Sequence, residues 1–292
     1  MSFTVLDKLP KKEKPKDVPI LYAHELSDQE FWNEYVAYNR PCLIKGAVNH
    51  WPASKKWQNT SYLKRISGKN NIAVYPHVNV NGEGKMKQGI IRCNFEQGID
   101  LLHSNEHEVV SMPGVTFGDV GTFSELNADI ATFPFMSKLP KPLGYPKNRF
   151  FIYRNASTGW HNHPMDETLM CQIVGSKRVG LMESNNGSYH DFKKICAEDD
   201  YVEAASLDDF AEKMSLYVVE VEESDALYIS PHCWHAVDPI GNDFGITLAK
   251  CFRSPLHKIG SLRYPATREL WVSAMLRLSR NTVVIPLLGC KR

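Results

Sequence analysis

The stretch RNASTGWHNHPMDETLMCQIVGSKR, Arg154 to Arg178, sets two histidines two residues apart with two carboxylates close behind. Residues i and i+2 share one face of a β-strand, so His161 and His163 can converge on one point if the segment is extended. The apolar run TLMCQIV then meets Gly175 and resumes as KRVGL, which reads as two strands around a turn. Histidines in such a pair also occur as plain surface or core residues. The rest of the chain decides whether these two hold a metal.

A second segment, EESDALYISPHCWHAVDPI from Glu222 to Ile240, supplies a third histidine. An apolar strand, Ala226 to Ile229, runs into Ser230 and Pro231, and a turn then presents His232, Trp234 and His235. A barrel strand here brings His235 opposite His161 and His163. Three imidazoles with coordination positions left over make a catalytic rather than a closed metal site. His232 reads as a turn residue and Trp234 as a wall.

Composition narrows the class. Of 292 residues 43% are hydrophobic and 23% charged, which supports a large core and excludes wholesale disorder. The net charge of +1 gives no global field for nucleic acid or membrane. Seven cysteines form no CxxC pair and are odd in number, against a disulfide framework or a zinc knuckle. The opening residues lack the apolar core of a secretory signal, and no run approaches the roughly 20 apolar residues of a membrane span. The expectation is an intracellular protein, cytoplasmic or nuclear, without a membrane segment.

Along the chain, KLPKKEKPKD lies in a lysine- and proline-rich arm over residues 1–19. Ser27 to Glu30 has a capping-box pattern ahead of Phe31 and Tyr35 at helical spacing. NRPCLIKGAV and NIAVYPHV read as strands, WPASKKWQNTSYLKRISG as a tryptophan-bearing loop and short helix closed by Gly68, and Asn94 to Ser104 as a helix. From about residue 109 to 255, short β-rich runs alternate with turn residues, the pattern of an all-β sandwich or barrel. Residues 256–292 read as a helical tail in which Trp271, Met275 and Leu278, with Leu270 and Ala274 beside them, form a stripe. That stripe predicts a homodimer through the C-terminal helix. Arg263, Arg268, Arg277 and Arg280 read as its wet face rather than an RNA contact.

Together HNHPMDETLMCQIVGSKRVGL and DALYISPHCWHAV resemble the Jumonji-C and cupin-like oxygenases that use Fe(II) and 2-oxoglutarate. In that family a double-stranded β-helix carries an HxD/E pair at one strand end and a distal histidine in a PxxWxH-like turn. A threonine often stands three residues before the first histidine, and a Q-[IV]-x-G-x-K-R segment follows. Thr158, His161, Gln172, Gly175, Lys177, Arg178 and His235 fit. EFWNEYVAYNRPCLIKGAVNHWPASKKWQNTSYL is similar to the family's opening, so the resemblance runs from about residue 20 to 255. It implies a mainly β fold with flanking helices, a cupin-like jelly-roll core with helical additions at both ends.

The resemblance also implies roles. His161 and His235 would be Fe(II) ligands, leaving places for 2-oxoglutarate and O2. Lys177 would pair with the distal carboxylate of 2-oxoglutarate, and Thr158 would add a hydroxyl to it. The implied activity is hydroxylation or demethylation of a protein, a modified tRNA or a small molecule. The departure is at the ligand carboxylate, where His163 stands in place of Asp or Glu. Asp166 is the alternative third ligand, although strand geometry favours His163. Thr168 and Cys251 stand where relatives often carry asparagines. Three neutral imidazoles leave a 2+ core, as in cysteine-dioxygenase-like cupins that use no keto acid. Two alternatives therefore stay open beside the leading one: a 2-oxoglutarate-independent three-histidine dioxygenase, and a non-catalytic metal-binding or regulatory protein, for zinc among other ions.

Overall fold

The computed structural model describes residues 17–76, 89–104, 106–118, 120–142, 144–163, 166–182, 216–241 and 244–254, with Arg268, Val272, Met275 and Leu276. Among the described residues thirteen strands form two sheets. They are β1 (Ile20–Tyr22), β2 (Cys42–Lys45), β3 (Asn71–Pro76), β4 (Ile91–Asn94), β5 (Val110–Thr116), β6 (Asn148–Arg154) and β7 (Thr158–His161). Then come β8 (Glu167–Val174), β9 (Ser176–Met182), β10 (Tyr217–Val221), β11 (Ala226–Ile229), β12 (Trp234–Ile240) and β13 (Phe244–Phe252). The nine-stranded sheet runs β1-β2-β11-β8-β13-β6-β5-β3-β4, and the four-stranded sheet β10-β9-β12-β7. This is the expected jelly roll. The N-terminal strands are not a separate layer: they extend both edges of the larger sheet.

Side-chain alternation sorts the larger sheet into two faces. On β8, Leu169, Cys171 and Ile173 join a core that contains Trp57, Phe95 and Leu102 from the helices, while Met170 joins Val179, Leu181 and Val237 of the smaller sheet. Phe150 and Ile152 of β6 likewise turn to the helical side. All eight residues of β8 are buried because a layer covers each face. Phe150 centres the helical-side core, with Phe95, Phe117 and Phe123 at ring-centroid distances of 5.9, 4.8 and 5.2 Å.

Local chemistry sets the helices. Ser27 Oγ accepts from the Glu30 amide and starts α1 (Asp28–Glu30), which continues as a π-helical turn over Phe31–Val36. The tryptophan-bearing segment makes two helices rather than one, α2 (Ala53–Lys56) and α3 (Thr60–Ser67), because Asn59 caps the amides of Ser61 and Tyr62 and restarts the chain. Helix α4 (Phe95–His103) opens with a full capping box between Asn94 and Gln97. Within the arm, residues 1–16 lie outside the described residues, while Val18 is buried and the Pro19 carbonyl accepts from the Leu43 amide. Of the C-terminal stripe, Leu270, Trp271, Ala274 and Leu278 lie outside them, and Met275 is helical and exposed. Arg263, Arg277 and Arg280 are outside as well. Among the described residues no helix is long and apolar enough to cross a membrane, and the five cysteines form no disulfide.

Candidate metal centre

Strand pairing brings the first two histidines together. His161, the last residue of β7, stands directly opposite His235 of β12. Their ring centroids are 4.0 Å apart. His163 lies two residues beyond the end of β7, so the pleat of a strand does not align it, contrary to the i, i+2 argument. A hydrogen bond does so instead: the His163 carbonyl accepts from the His232 amide at 2.9 Å, and His232 adopts φ 59° in the turn before β12. The His163 ring then sits 5.2 Å from that of His161 and 4.9 Å from that of His235. One ring nitrogen from each residue lies within 4.8 Å of the others.

The polar partners define which nitrogens are free. His161 Nδ1 is 2.8 Å from the Gly159 carbonyl and His235 Nδ1 is 3.0 Å from the Cys233 carbonyl. A carbonyl only accepts, so both Nδ1 atoms carry the proton and both Nε2 atoms present lone pairs. His163 Nδ1 meets Thr168 Oγ1 at 3.1 Å. Burial lowers the pKa of all three imidazoles, those of His163 and His235 well below the ordinary value. Neutral, oriented imidazoles are what a divalent ion requires, and the hydrogen bonds behind the rings fix their direction. The group fits a metal ion.

Asp166 is placed elsewhere. Its buried Oδ2 accepts from the amides of Gly144 and Tyr145 at 2.7 and 2.8 Å, so it ties down that turn. It is not in the cluster, contrary to the alternative that made it the third ligand. Glu167 is also committed, accepting from the Ser254 amide and hydroxyl, with burial raising its pKa. The three-histidine cluster therefore has no carboxylate among the described residues.

The histidines open into a cavity between the sheets. Thr158 and Lys177 line it with Tyr153, Thr168, Thr247 and Arg149. Lys177 lies on β9, two residues past the sharp turn at Gly175 (φ 75°), and points inward on the same side as Val179 and Leu181. It is 5% exposed, and burial pulls its pKa down to about 7. No carboxylate among the described residues is within ion-pair distance of it; its ammonium lies 4.5 Å from the centre of the Tyr153 ring. Gln172 holds that ring, donating to Tyr153 Oη at 3.0 Å while its own Oε1 accepts from Thr247 at 2.8 Å. Gly245 leaves room for the ring: a Cβ there would stand 2.3 Å from Tyr153 Cζ. Sequence reading missed Arg149, Tyr153 and Thr247. RFFIYRN was legible as a strand, and strict alternation from buried Phe150 and Ile152 would have turned Arg149, Phe151 and Tyr153 to the other face.

A cupin-like domain profile matches residues 28–255. The chain belongs to the cupin-like domain family. It is 23% identical over 248 residues to Jumonji C domain-containing protein 5 of Drosophila melanogaster, covering 79% of this chain and 59% of the relative. Identity to JmjC domain-containing protein D of Dictyostelium discoideum is 27% over 248 residues, covering 74% and 53%. Lysine-specific demethylase JMJ30 of Arabidopsis thaliana is 24% identical over 220 residues, covering 73% and 50%. This cupin-like chain thus spans between half and three fifths of the length of these relatives.

Proposed function

We propose that this chain is an Fe(II)- and 2-oxoglutarate-dependent oxygenase, a hydroxylase or demethylase. The observation that carries the reading is that one cavity joins three neutral imidazoles to a buried lysine with no acidic partner among the described residues. A buried ammonium costs several kcal/mol unless an anion reaches it, so the cavity suits a carboxylate ligand at that depth. The likeness to Jumonji C proteins, one of them named a demethylase, supports the same chemistry.

In this reading His161, His163 and His235 hold the metal, which supplies the redox chemistry that couples keto-acid decarboxylation to oxidation of a C–H bond. Lys177 and Thr158 anchor the distal carboxylate of 2-oxoglutarate, and Tyr153 forms the wall against which the lysine is held. The apolar lining from Phe151, Met170, Ile229 and Val237 excludes water from the reacting centre. The primary substrate is a protein, a modified tRNA or a small molecule.

Anaerobic titration of Fe(II) with and without 2-oxoglutarate tests this. A visible metal-to-ligand charge-transfer band that needs both components is expected; tight Fe(II) binding without the band would refute keto-acid use. That no carboxylate among the described residues joins the three histidines favours a second reading, a three-histidine dioxygenase or a metal-binding protein without turnover, and that outcome would select it.

A further inference from the structure

Besides Lys177, the cavity contains a second cationic group that the proposed cofactor site does not use. Arg149 of β6 lines the same space. Its guanidinium carbon lies 4.2 Å from the centre of the Tyr145 ring and 5.7 Å from that of Phe151, which fixes its plane. Its hydrogen bond is to a weak acceptor, Cys251 Sγ, at 3.5 Å, and its Nε is buried without a partner. No carboxylate among the described residues is within ion-pair distance. The guanidinium is nevertheless close to the metal cluster. Cys251 Sγ is 3.9 Å from Thr168 Oγ1, which is in turn the partner of His163, and the Tyr145 ring lies 5.0 Å from the His163 ring.

The charge balance of the cavity makes this unusual. Its described lining contains a lysine, an arginine and the three imidazoles, but no aspartate or glutamate. A divalent ion adds two further positive charges, of which a dicarboxylate cancels as many. A guanidinium stays protonated at any ordinary pH, so it cannot escape by neutralising as a lysine can. Its planar fork with unused N–H groups matches a carboxylate.

We propose that Arg149 is a second carboxylate anchor, beside the metal and separate from Lys177, so that the cavity seats an anionic group in addition to the one at its lysine end. This deepens the reading above and rests on it for the choice of probes. The group comes from one of two sources, the 1-carboxylate of the keto acid or a carboxylate on the molecule to be oxidised. In the second case the substrate class is an organic acid or an acidic side chain.

The test uses the full chain loaded with Mn(II), comparing wild type with Arg149→Gln and Arg149→Lys. Metal stoichiometry, expected to be unchanged, serves as the folding control, and Arg149→Met replaces the glutamine variant should that one fail it. 2-Oxoglutarate is titrated first, followed by acetate labelled with carbon-13 at the carboxylate, whose relaxation a nearby Mn(II) enhances. Loss of a charge-assisted bidentate contact predicts about a tenfold or greater fall in affinity for one probe in the glutamine variant, with lysine intermediate. A fall confined to 2-oxoglutarate assigns the anchor to the keto acid; a fall confined to acetate assigns it to the second substrate. Wild type that binds acetate through Arg149 but no 2-oxoglutarate would sink the proposed function and leave this anchor standing. Equal affinities in wild type and the neutral variant for both probes, or no binding of either probe to wild type, overturn it.

Discussion

Raising the pH from 7 to 9 should weaken 2-oxoglutarate binding steeply, through Lys177 alone. Burial holds the free lysine at about 7, far below its ordinary 10.5, so its ammonium is already half gone at neutrality. Roughly a tenth of the molecules keep the proton at pH 8 and about a hundredth at pH 9. If the bound carboxylate demands the charged form, the apparent Kd rises about fiftyfold between pH 7 and 9, or ~2.3 kcal/mol. Neighbouring groups do not share the window: the three imidazoles are already neutral and Tyr153 is pushed up to about 12. The assay is calorimetric titration into Zn(II)-loaded protein in two buffers of different ionisation enthalpy, which counts the proton taken up on binding. Lys177→Met should bind weakly and without the pH slope. The same depressed pKa means that the unfolded chain holds more protons above pH 7, so the ligand-free fold gains stability as pH rises from about 7 towards 10. A flat affinity across pH 7 to 9, or a slope that survives Lys177→Met, would refute the argument.

Three further outcomes follow from the site. His163→Asp, which puts a carboxylate at the third position, should keep one metal per chain by elemental analysis and turn over 2-oxoglutarate at least as fast as wild type; an empty site would show that the loop beyond β7 cannot present a shorter ligand. Asp166→Ala strands two amides and should cost ~1–3 kcal/mol of stability in denaturant melts while the metal stays bound. Metal lost there but kept in His163→Ala would overturn the three-histidine centre. Gly245→Ala drives a methyl into the Tyr153 ring, so thermal unfolding should show ~1–3 kcal/mol of destabilisation and 2-oxoglutarate binding should weaken with it; an unchanged melting curve would mean that the ring moves aside freely.

The strands of the jelly roll were legible because hydrophobic runs such as TLMCQIV and GITLAKCF are bounded by glycine and charged residues, and side-chain chemistry marks those limits locally. The helix cap at Ser27 was legible for the same reason, whereas the helix from Asn94 was read without the capping box that Asn94 and Gln97 form. What the sequence concealed depends on partners remote along the chain. The approach of His163 rests on an amide sixty-nine residues later, at His232. The commitment of Asp166 to Gly144 and Tyr145 depends on a turn that no spacing rule announces. Arg149 was missed because the cavity that surrounds it is assembled from both sheets. Short β1 and β4 went unread since a strand of three or four residues carries too few alternations to register a period.

The one-residue turn at Gly175 makes the site a matter of counting. β8 ends at Val174 and β9 begins at Ser176, so the chain passes from one sheet to the other with no slack. Strand faces repeat every second residue, and inserting or deleting a single residue between Gly175 and Lys177 would turn Arg178 or Ser176 inward and the lysine out to solvent. Lengthening the chain on the far side of His161 carries no such parity, because loops there take up the difference. Homologues that keep this chemistry should therefore vary freely in side chain across β9 yet hold the interval from turn to lysine constant, a ruler built into the backbone rather than a signature written in residues.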